Sequence, residues 1–393
     1  LFLALILVQN AYSQSKLIWR MPLAEQAKTT FVPRADGGFD LYVHITYAGN
    51  DMLFDFLEQS GEMTLSWNVQ EKPEDNPPLV RDSVVLSTDN LFYNNKYAVV
   101  KITLPKIEKE TAFMSLRFKQ TVRGNRLFTA KYLNIPTSTQ KNYTLLKGKS
   151  GKLPYMANYC SVKDSFLVQS SLDSVLVRHF MPDSFPLPPM FTGDVKKPIR
   201  QIRSFWVKNG HYFAPNQAGS YIISAAEHQT YIYSTDIKTF PQYTKAKDLL
   251  KPLHYISTDE EVDTYLKKNK DFKLSLDDYL LTVHGTREQS RRFMKSYFQR
   301  VTLANELFSS SAEGWQTDKG MIFIIFGMPD RVYQENNAED WSYEKNALYN
   351  ELNFYFTKAD NYTKGRNLHL ERLGDYKEIW YGLIDKWRKG LIR

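Results

Sequence analysis

Cysteine is all but missing: Cys160 is the single one in 393 residues. That excludes an intrachain disulfide, so stability must come from burial, and Cys160 itself reads as a small buried hydrophobe rather than a nucleophile. Catalytic signatures are missing too. There is no Gly-x-Ser-x-Gly elbow, no His-Glu-x-x-His pair and no Walker or dinucleotide loop. The seven histidines are scattered, none at metal-ligand spacing from another His or Cys; His44, between Tyr42 and Thr46 in a strand pattern, is expected to be structural. The adjacent carboxylates Asp277-Asp278 and Glu339-Asp340 point apart on a helix or strand, which makes them poor acid/base pairs. These absences predict no cofactor, no metal and no catalytic residue. No nucleic-acid motif is present, and beyond the first residues no apolar run is long enough to cross a bilayer.

The run Leu1–Val8 is too short to span a membrane and fits the apolar core of a secretory signal, with Ala11-x-Ser13 supplying the small residues of a cleavage site. Residues 1–13 are therefore expected to be a signal peptide cut after Ser13, its basic start and initiating Met lying before the first residue. No Cys follows to carry a lipid anchor. The chain is then exported, to the periplasm or the periphery of an outer membrane. Asn142-Tyr143-Thr144 and Asn361-Tyr362-Thr363 fit the glycosylation pattern. The net charge of +8 suits a polyanion such as an acidic glycan, although Lys is interspersed with Asp and Glu as on any solvated surface.

The length predicts two or three domains, and 25 Tyr with 24 Phe lean toward β structure. After a Thr/Pro/Gly linker, residues 36–135 alternate with the two-residue period of half-buried strands: 39–47, 63–69, 79–86, 97–104, 112–122 and 127–133. Turn signals lie between them at Ser60-Gly61, Pro77-Pro78, Asn94-Asn95 and Gly124-Asn125. The spacing predicts a β-sandwich of immunoglobulin-like size over 25–135. Residues 136–160 read as a linker. A second, smaller β domain is expected over 150–240, with strands at 165–170, 174–180, 199–208, 220–225 and 230–234. Phe185-Pro186-Leu187-Pro188-Pro189-Met190-Phe191 is expected to run extended, as a docking segment or as a loop packed on the sandwich.

Near Ala246 the period changes to 3.6. A short helix is expected over 248–255, and Ser257 with Glu260 has capping-box spacing, which accounts for the acidic trio Asp259, Glu260 and Glu261 at a helix start. The clearest helix runs from Thr286 to Ser309, with Phe293, Tyr297, Val301, Ala304 and Phe308 on one stripe and a basic outer face. Strands follow at 321–326, 331–334, 340–343 and 352–356, then an amphipathic helix over 376–389 carrying Ile379, Trp380, Leu383 and Trp387. Residues 245–393 thus predict an α+β domain around a small antiparallel sheet.

One stretch is punctuated more sharply than the rest: Gly314-Trp315-Gln316-Thr317-Asp318-Lys319-Gly320, running into an apolar segment and Gly327-Met328-Pro329-Asp330. Gly314-Trp315-x-Thr317-Asp318 resembles the signature of the GWxTD domain family. The likeness extends to Tyr297-Phe298-x-Arg300-Val301-x-x-Ala304-Asn305-x-x-Phe308, Trp341-x-Tyr343, Leu352-x-Phe354-x-Phe356 and Trp380-Tyr381 with Trp387-Arg388. Lys319 and Met328 stand where Arg and Pro are more usual. The resemblance covers about residues 245–393. It implies an exported protein of Bacteroidota, with β domains often upstream, and it carries no established activity.

The motif is expected to build a corner. Gly314 and Gly320 would supply backbone angles closed to other residues, Trp315 would bury against the 286–309 helix, and Thr317 or Asp318 would bond local amides. Its rival is a ligand site, with Trp315 stacking and Asp318 and Lys319 binding polar groups. Two function classes follow. One is a non-catalytic interaction or assembly component of the cell envelope, partnered by envelope proteins or an outer-membrane complex. The other is a glycan- or peptide-acting enzyme with its site near Gly314–Lys319.

Overall fold

The computed structural model describes residues 27–392 except 47–62, 73–74, 88, 94–96, 110–111, 123–124, 136–142, 149–150, 152, 182–185, 192–199, 227, 268–270, 336–337, 345–348 and 359–367. The signal segment 1–13, Asn142, residues 361–363, the turns at Ser60-Gly61 and Asn94-Asn95, Gly124 and Phe185 lie outside the described residues. The chain is multidomain and β-rich, with several small antiparallel sheets. It divides into two compact units, residues 1–156 with 167–173 and 225–228, and residues 157–166 with 174–224 and 229–393.

In the first unit, strands β1 (Ala27–Pro33), β2 (Phe39–Thr46), β5 (Leu91–Tyr93) and β6 (Tyr97–Leu104) form one sheet in the order β1-β2-β6-β5. Strands β3 (Thr64–Gln70), β4 (Val80–Val85), β7 (Phe113–Val122) and β8 (Asn125–Asn134) form another, ordered β4-β3-β7-β8. Both feed one core, with Leu41, Val43, Val100 and Ile102 from the first sheet and Leu65, Trp67, Leu116 and Phe118 from the second. The cause is the alternation itself. In β3, Leu65, Trp67 and Val69 are buried while Ser66 and Asn68 are not, because successive side chains leave a strand on opposite faces. His44 is buried and pushed down to about 3 by that burial, so it is neutral.

Two linkers turn out to contain strands. β1 lies in the Thr/Pro/Gly stretch and pairs along its whole length with β2. β9 (Thr144–Lys147) lies within 136–160, and β10 (Tyr159–Ser161) begins there. Both stretches are short and polar enough to read as connectors, and pairing with a neighbour already in place is what orders them. β9 pairs with β11 (Phe166–Ser170).

The second unit holds β12 (Ser174–Met181), β13 (Arg200–Lys208), β14 (Tyr212–Phe213), β15 (Gly219–Ala225) and β16 (His228–Thr235). One sheet has the order β10-β16-β15-β12-β13, with β10 parallel to β16 and β12 antiparallel to both neighbours. Cys160 is buried there, its thiol pushed up to about 12 by desolvation, so it stays an inert thiol. The proline segment is not extended throughout: the Phe191 amide donates to the Pro188 carbonyl at 3.2 Å, closing a turn.

The α-helices of five residues or more in this unit are α1 (Ala246–Leu250), α2 (Phe272–His284), α3 (Arg287–Phe308), α4 (Asp318–Phe326) and α5 (Tyr376–Arg388), with a single α-helical turn at Asp259–Glu261. α3 starts where expected, with Thr286 accepting from the Gln289 amide at 3.2 Å. The capping box is one residue later than the sequence suggests: Thr258, not Ser257, caps, with Glu261 as its reciprocal partner. Ser257 instead donates to the Leu253 carbonyl at 2.8 Å, and either residue had the chemistry to cap.

The largest correction concerns residues 321–326, which form the body of a helix, α4, and not a strand. An apolar run of this length has no period to separate a buried strand from a buried helix. Met321, Ile322, Phe323, Ile324 and Ile325 are fully enclosed on every side. The antiparallel sheet beside it is β17 (Arg331–Glu335), β18 (Ala338–Tyr343), β19 (Leu352–Lys358) and β20 (Leu368–Leu370), in that order. β20, and not residues 321–326, is the fourth strand of that sheet.

Candidate functional site

The motif joins α3 to α4. α3 ends at Phe308, and Gly314–Gln316 make one turn of 3₁₀ helix before Thr317 caps α4. Thr317 does two things with one hydroxyl, donating to the Gly314 carbonyl at 2.7 Å and accepting from the Gly320 amide at 3.0 Å. The first of these closes the turn, and the second satisfies an amide that the helix start would leave orphaned.

The glycines matter for a different reason from the one their type suggests. Neither Gly314 nor Gly320 has a positive φ. A Cβ on Gly314 would lie 1.8 Å from the Ala304 carbonyl oxygen of α3, and one on Gly320 would lie 1.8 Å from the Gly314 carbonyl oxygen. They are spacers that let three backbone segments touch. Of the motif glycines, Gly327 alone, at the far end of α4, has the left-handed geometry, with φ 91°.

Trp315 is 0% exposed. Its amide donates to Asn305 Oδ1 at 3.1 Å, its carbonyl accepts from Tyr255 OH at 2.6 Å, and its indole donates to Glu313 Oε2 at 2.8 Å. Tyr255 also meets the indole edge to face, centroids 5.9 Å apart. Glu313 is buried and accepts from Tyr243 OH as well, with Tyr233 OH at 3.4 Å. Burial pushes both phenols up, and the Glu313 charge adds to that shift. Asn305 closes the group by donating to the Pro241 carbonyl at 3.0 Å.

Asp318 does not bond local amides. Its carboxylate is paired with Arg372, sits 3.5 Å from His369 Nδ1 and accepts from the Leu370 amide at 3.2 Å. Burial alone would raise its pKa, but His369, the Arg372 charge and the Leu370 amide outweigh it and hold the group below the usual carboxylate range. Arg372 goes on to the Leu187 carbonyl at 3.1 Å, tying down the proline segment. Lys319 points elsewhere, to Glu339 Oε1 at 2.7 Å, and Glu339 accepts from the Trp341 indole at 3.1 Å.

At the other end of α4, Arg300 Nη1 donates to the Ile324 and Ile325 carbonyls at 3.0 and 3.2 Å. Its guanidinium lies 4.9 Å from the Trp387 ring centroid, and burial pushes it down to about 10. The cation thus meets the carbonyl end of the helix dipole. Tyr343 OH donates to the Gly327 carbonyl at 3.0 Å, Pro329 is buried, and Asp330 accepts from the Glu344 amide at 2.7 Å.

The structure therefore brings Gly314, Trp315, Thr317, Asp318 and Gly320 together, sends Lys319 to β18, and places Gly327, Pro329 and Asp330 at the opposite end of α4. Arg300 and Asn305 belong to the upstream part of the resemblance. Glu313, Tyr233, Tyr243, Tyr255, His369 and Arg372 carried no sequence signal, because each arrives from a distance or lies outside the punctuated stretch. No group of His, Cys, Asp and Glu suited to a metal ion occurs among the described residues, and no helix there is long and apolar enough to cross a membrane.

Residues 219–389 match the profile of the GWxTD domain. No curated protein matches the chain. Among solved structures, dimeric latent PorU from Porphyromonas gingivalis is 8% identical with a TM-score of 0.25, over 55% of this chain and 21% of that one. A variant of alpha-2-macroglobulin from Salmonella is 9% identical with a TM-score of 0.19, over 54% and 17%. The chain thus spans about a fifth of their length, and at these scores neither likeness bears on fold or function.

Proposed function

The chain belongs to the GWxTD domain family through residues 219–389, and from that premise we propose an exported, non-catalytic protein of the cell envelope that acts as an interaction or assembly component. In this proposal the β segments before the domain are immunoglobulin-like modules that present surface. One observation carries it: Trp315, Asp318 and Lys319, the groups a ligand site would use, are each committed to partners inside the domain. Trp315 has no exposed face, Asp318 is closed off by Arg372 and His369, and Lys319 is paired with Glu339. A buried tryptophan cannot stack a ligand, and a carboxylate held below its usual range is a poor general acid. Chemistry of this kind holds a fold together and leaves function to the outer surface.

Affinity purification of the full chain from native membranes tests the proposal. Co-purification of a defined set of envelope proteins is expected. Recovery of the chain alone, or cleavage of a glycan or peptide that Asp318→Asn abolishes without lowering the melting midpoint, contradicts it and favours an enzyme.

A further inference from the structure

Trp206 is the most exposed large apolar side chain among the described residues, at 67%. It sits on β13, which ends its sheet and pairs only with β12 among the described residues. By register, Trp206 lies opposite Leu176, Ser204 opposite Arg178 and Lys208 opposite Ser174, so Trp206, Ser204, Lys208 and Arg178 share one face. Two strands in, that face is covered: Ser220 and Ile222 of β15 are buried, and Ser220 donates to the Ser310 carbonyl at 3.4 Å. The covering does not reach Trp206.

The charge here has one sign. β12 and β13 together carry Arg178, Arg200, Arg203 and Lys208 and no Asp or Glu. Arg203 is committed to Asn216 at 2.6 Å and Arg178 to Ser224 at 3.5 Å, whereas Arg200 and Lys208 are exposed. A sheet edge offers unpaired N–H and C=O groups to another strand. The register skips Ile202, which marks a bulge, so the regular run open to pairing is Arg203–Lys208.

We propose that the β13 edge binds an extended acidic segment of a partner protein by strand addition, with an apolar side chain of that segment on Trp206 and a carboxylate on Lys208. Strand addition takes affinity from main-chain hydrogen bonds and specificity from alternate side chains. A second copy of this chain is the wrong occupant, since edge-to-edge pairing would set these cations against one another. The proposal rests on the assembly role above and names the class of partner.

The probe is a short, fluorescently labelled, alternating Glu-Val peptide, titrated onto the full chain and read by anisotropy. Saturable binding is expected, weakened about tenfold by Trp206→Ala and about fivefold by Lys208→Glu. N-methylation of alternate peptide residues should abolish it, because that removes the strand hydrogen bonds and leaves the charge. Both positions are exposed, so unchanged melting midpoints are expected and serve as the folding control. Three results overturn the proposal: no binding, equal binding of the N-methylated peptide, or displacement by polygalacturonate, which would make the surface a general polyanion site. Envelope purification separates this failure from that of the assembly role. If the Trp206→Ala, Lys208→Glu chain recovers the same partners as the natural one, assembly survives and the β13 edge is excluded as its surface.

Discussion

The two ends of α4 are fixed by opposite means. At its N-terminal end, fixation is steric and anionic: Gly314 and Gly320 let backbones touch, Thr317 caps, and Asp318 holds Arg372 and the Leu370 amide. At its C-terminal end the Arg300 cation, with the Trp387 indole, covers the last carbonyls, and Gly327 turns the chain away in a left-handed conformation. Both arrangements complement the helix dipole. The first, however, has no room to relax, while the second ends on a flexible side chain. The signature motif of the family is the end without slack.

That difference ranks the consequences of substitution. Gly314→Ala should be the most severe, because its Cβ would land inside the Ala304 carbonyl and only backbone movement can relieve it. A loss on the order of 5 kcal/mol, seen as failure to purify folded chain, is expected, at the upper end of overpacking effects. Asp318→Asn comes next. It leaves Arg372 partly buried and uncompensated, and a loss of about 3 kcal/mol in urea denaturation is expected.

The same residue predicts a pH signature. Its folded pKa is lowered, so its contribution is complete above the ordinary carboxylate range and is lost as pH falls through the lowered value. Acid unfolding of the Asn variant should therefore be shallower than that of the natural chain. At the other end the effects should be smaller. Arg300→Met strands the Ile324 carbonyl and should cost about 1–3 kcal/mol. Gly327→Ala meets the Arg300 guanidinium first, at 3.2 Å, and a strained φ, for about 1–2 kcal/mol. If the Gly327 variant proves worse than the Gly314 variant, the contrast between the two ends is wrong.

The parts of the molecule legible in the sequence are those where one face is wet and the other dry. β3 shows it through Leu65, Trp67 and Val69, and α3 through Phe293, Tyr297 and Val301, because the period of burial is written in residue type. α4 is dry on all sides, so Met321–Phe326 carried no period and read as a strand. α2 escaped notice for a related reason: Leu274 and Leu281 are exposed while Leu276, Tyr279 and Leu280 are buried, which blurs its stripe. The motif glycines were visible, but their purpose was not, since close approach to Ala304 is a property of a packed structure and not of a turn. The partners of the motif, from Tyr233 to Arg372, span much of the second unit, and nothing local in the chain announces such a meeting.

The central claim is that the Gly314–Gly320 turn is an internal lock, and the denaturation midpoint of Trp315→Ala in the full chain tests it most directly. Removing a fully enclosed indole bonded at its ring nitrogen, with its main chain anchored to Asn305 and Tyr255, should cost about 3–5 kcal/mol. The midpoint should fall accordingly, and any loss of partners in envelope purification should follow that fall. An unchanged midpoint together with lost partner recovery would contradict the claim and make Trp315 a binding residue.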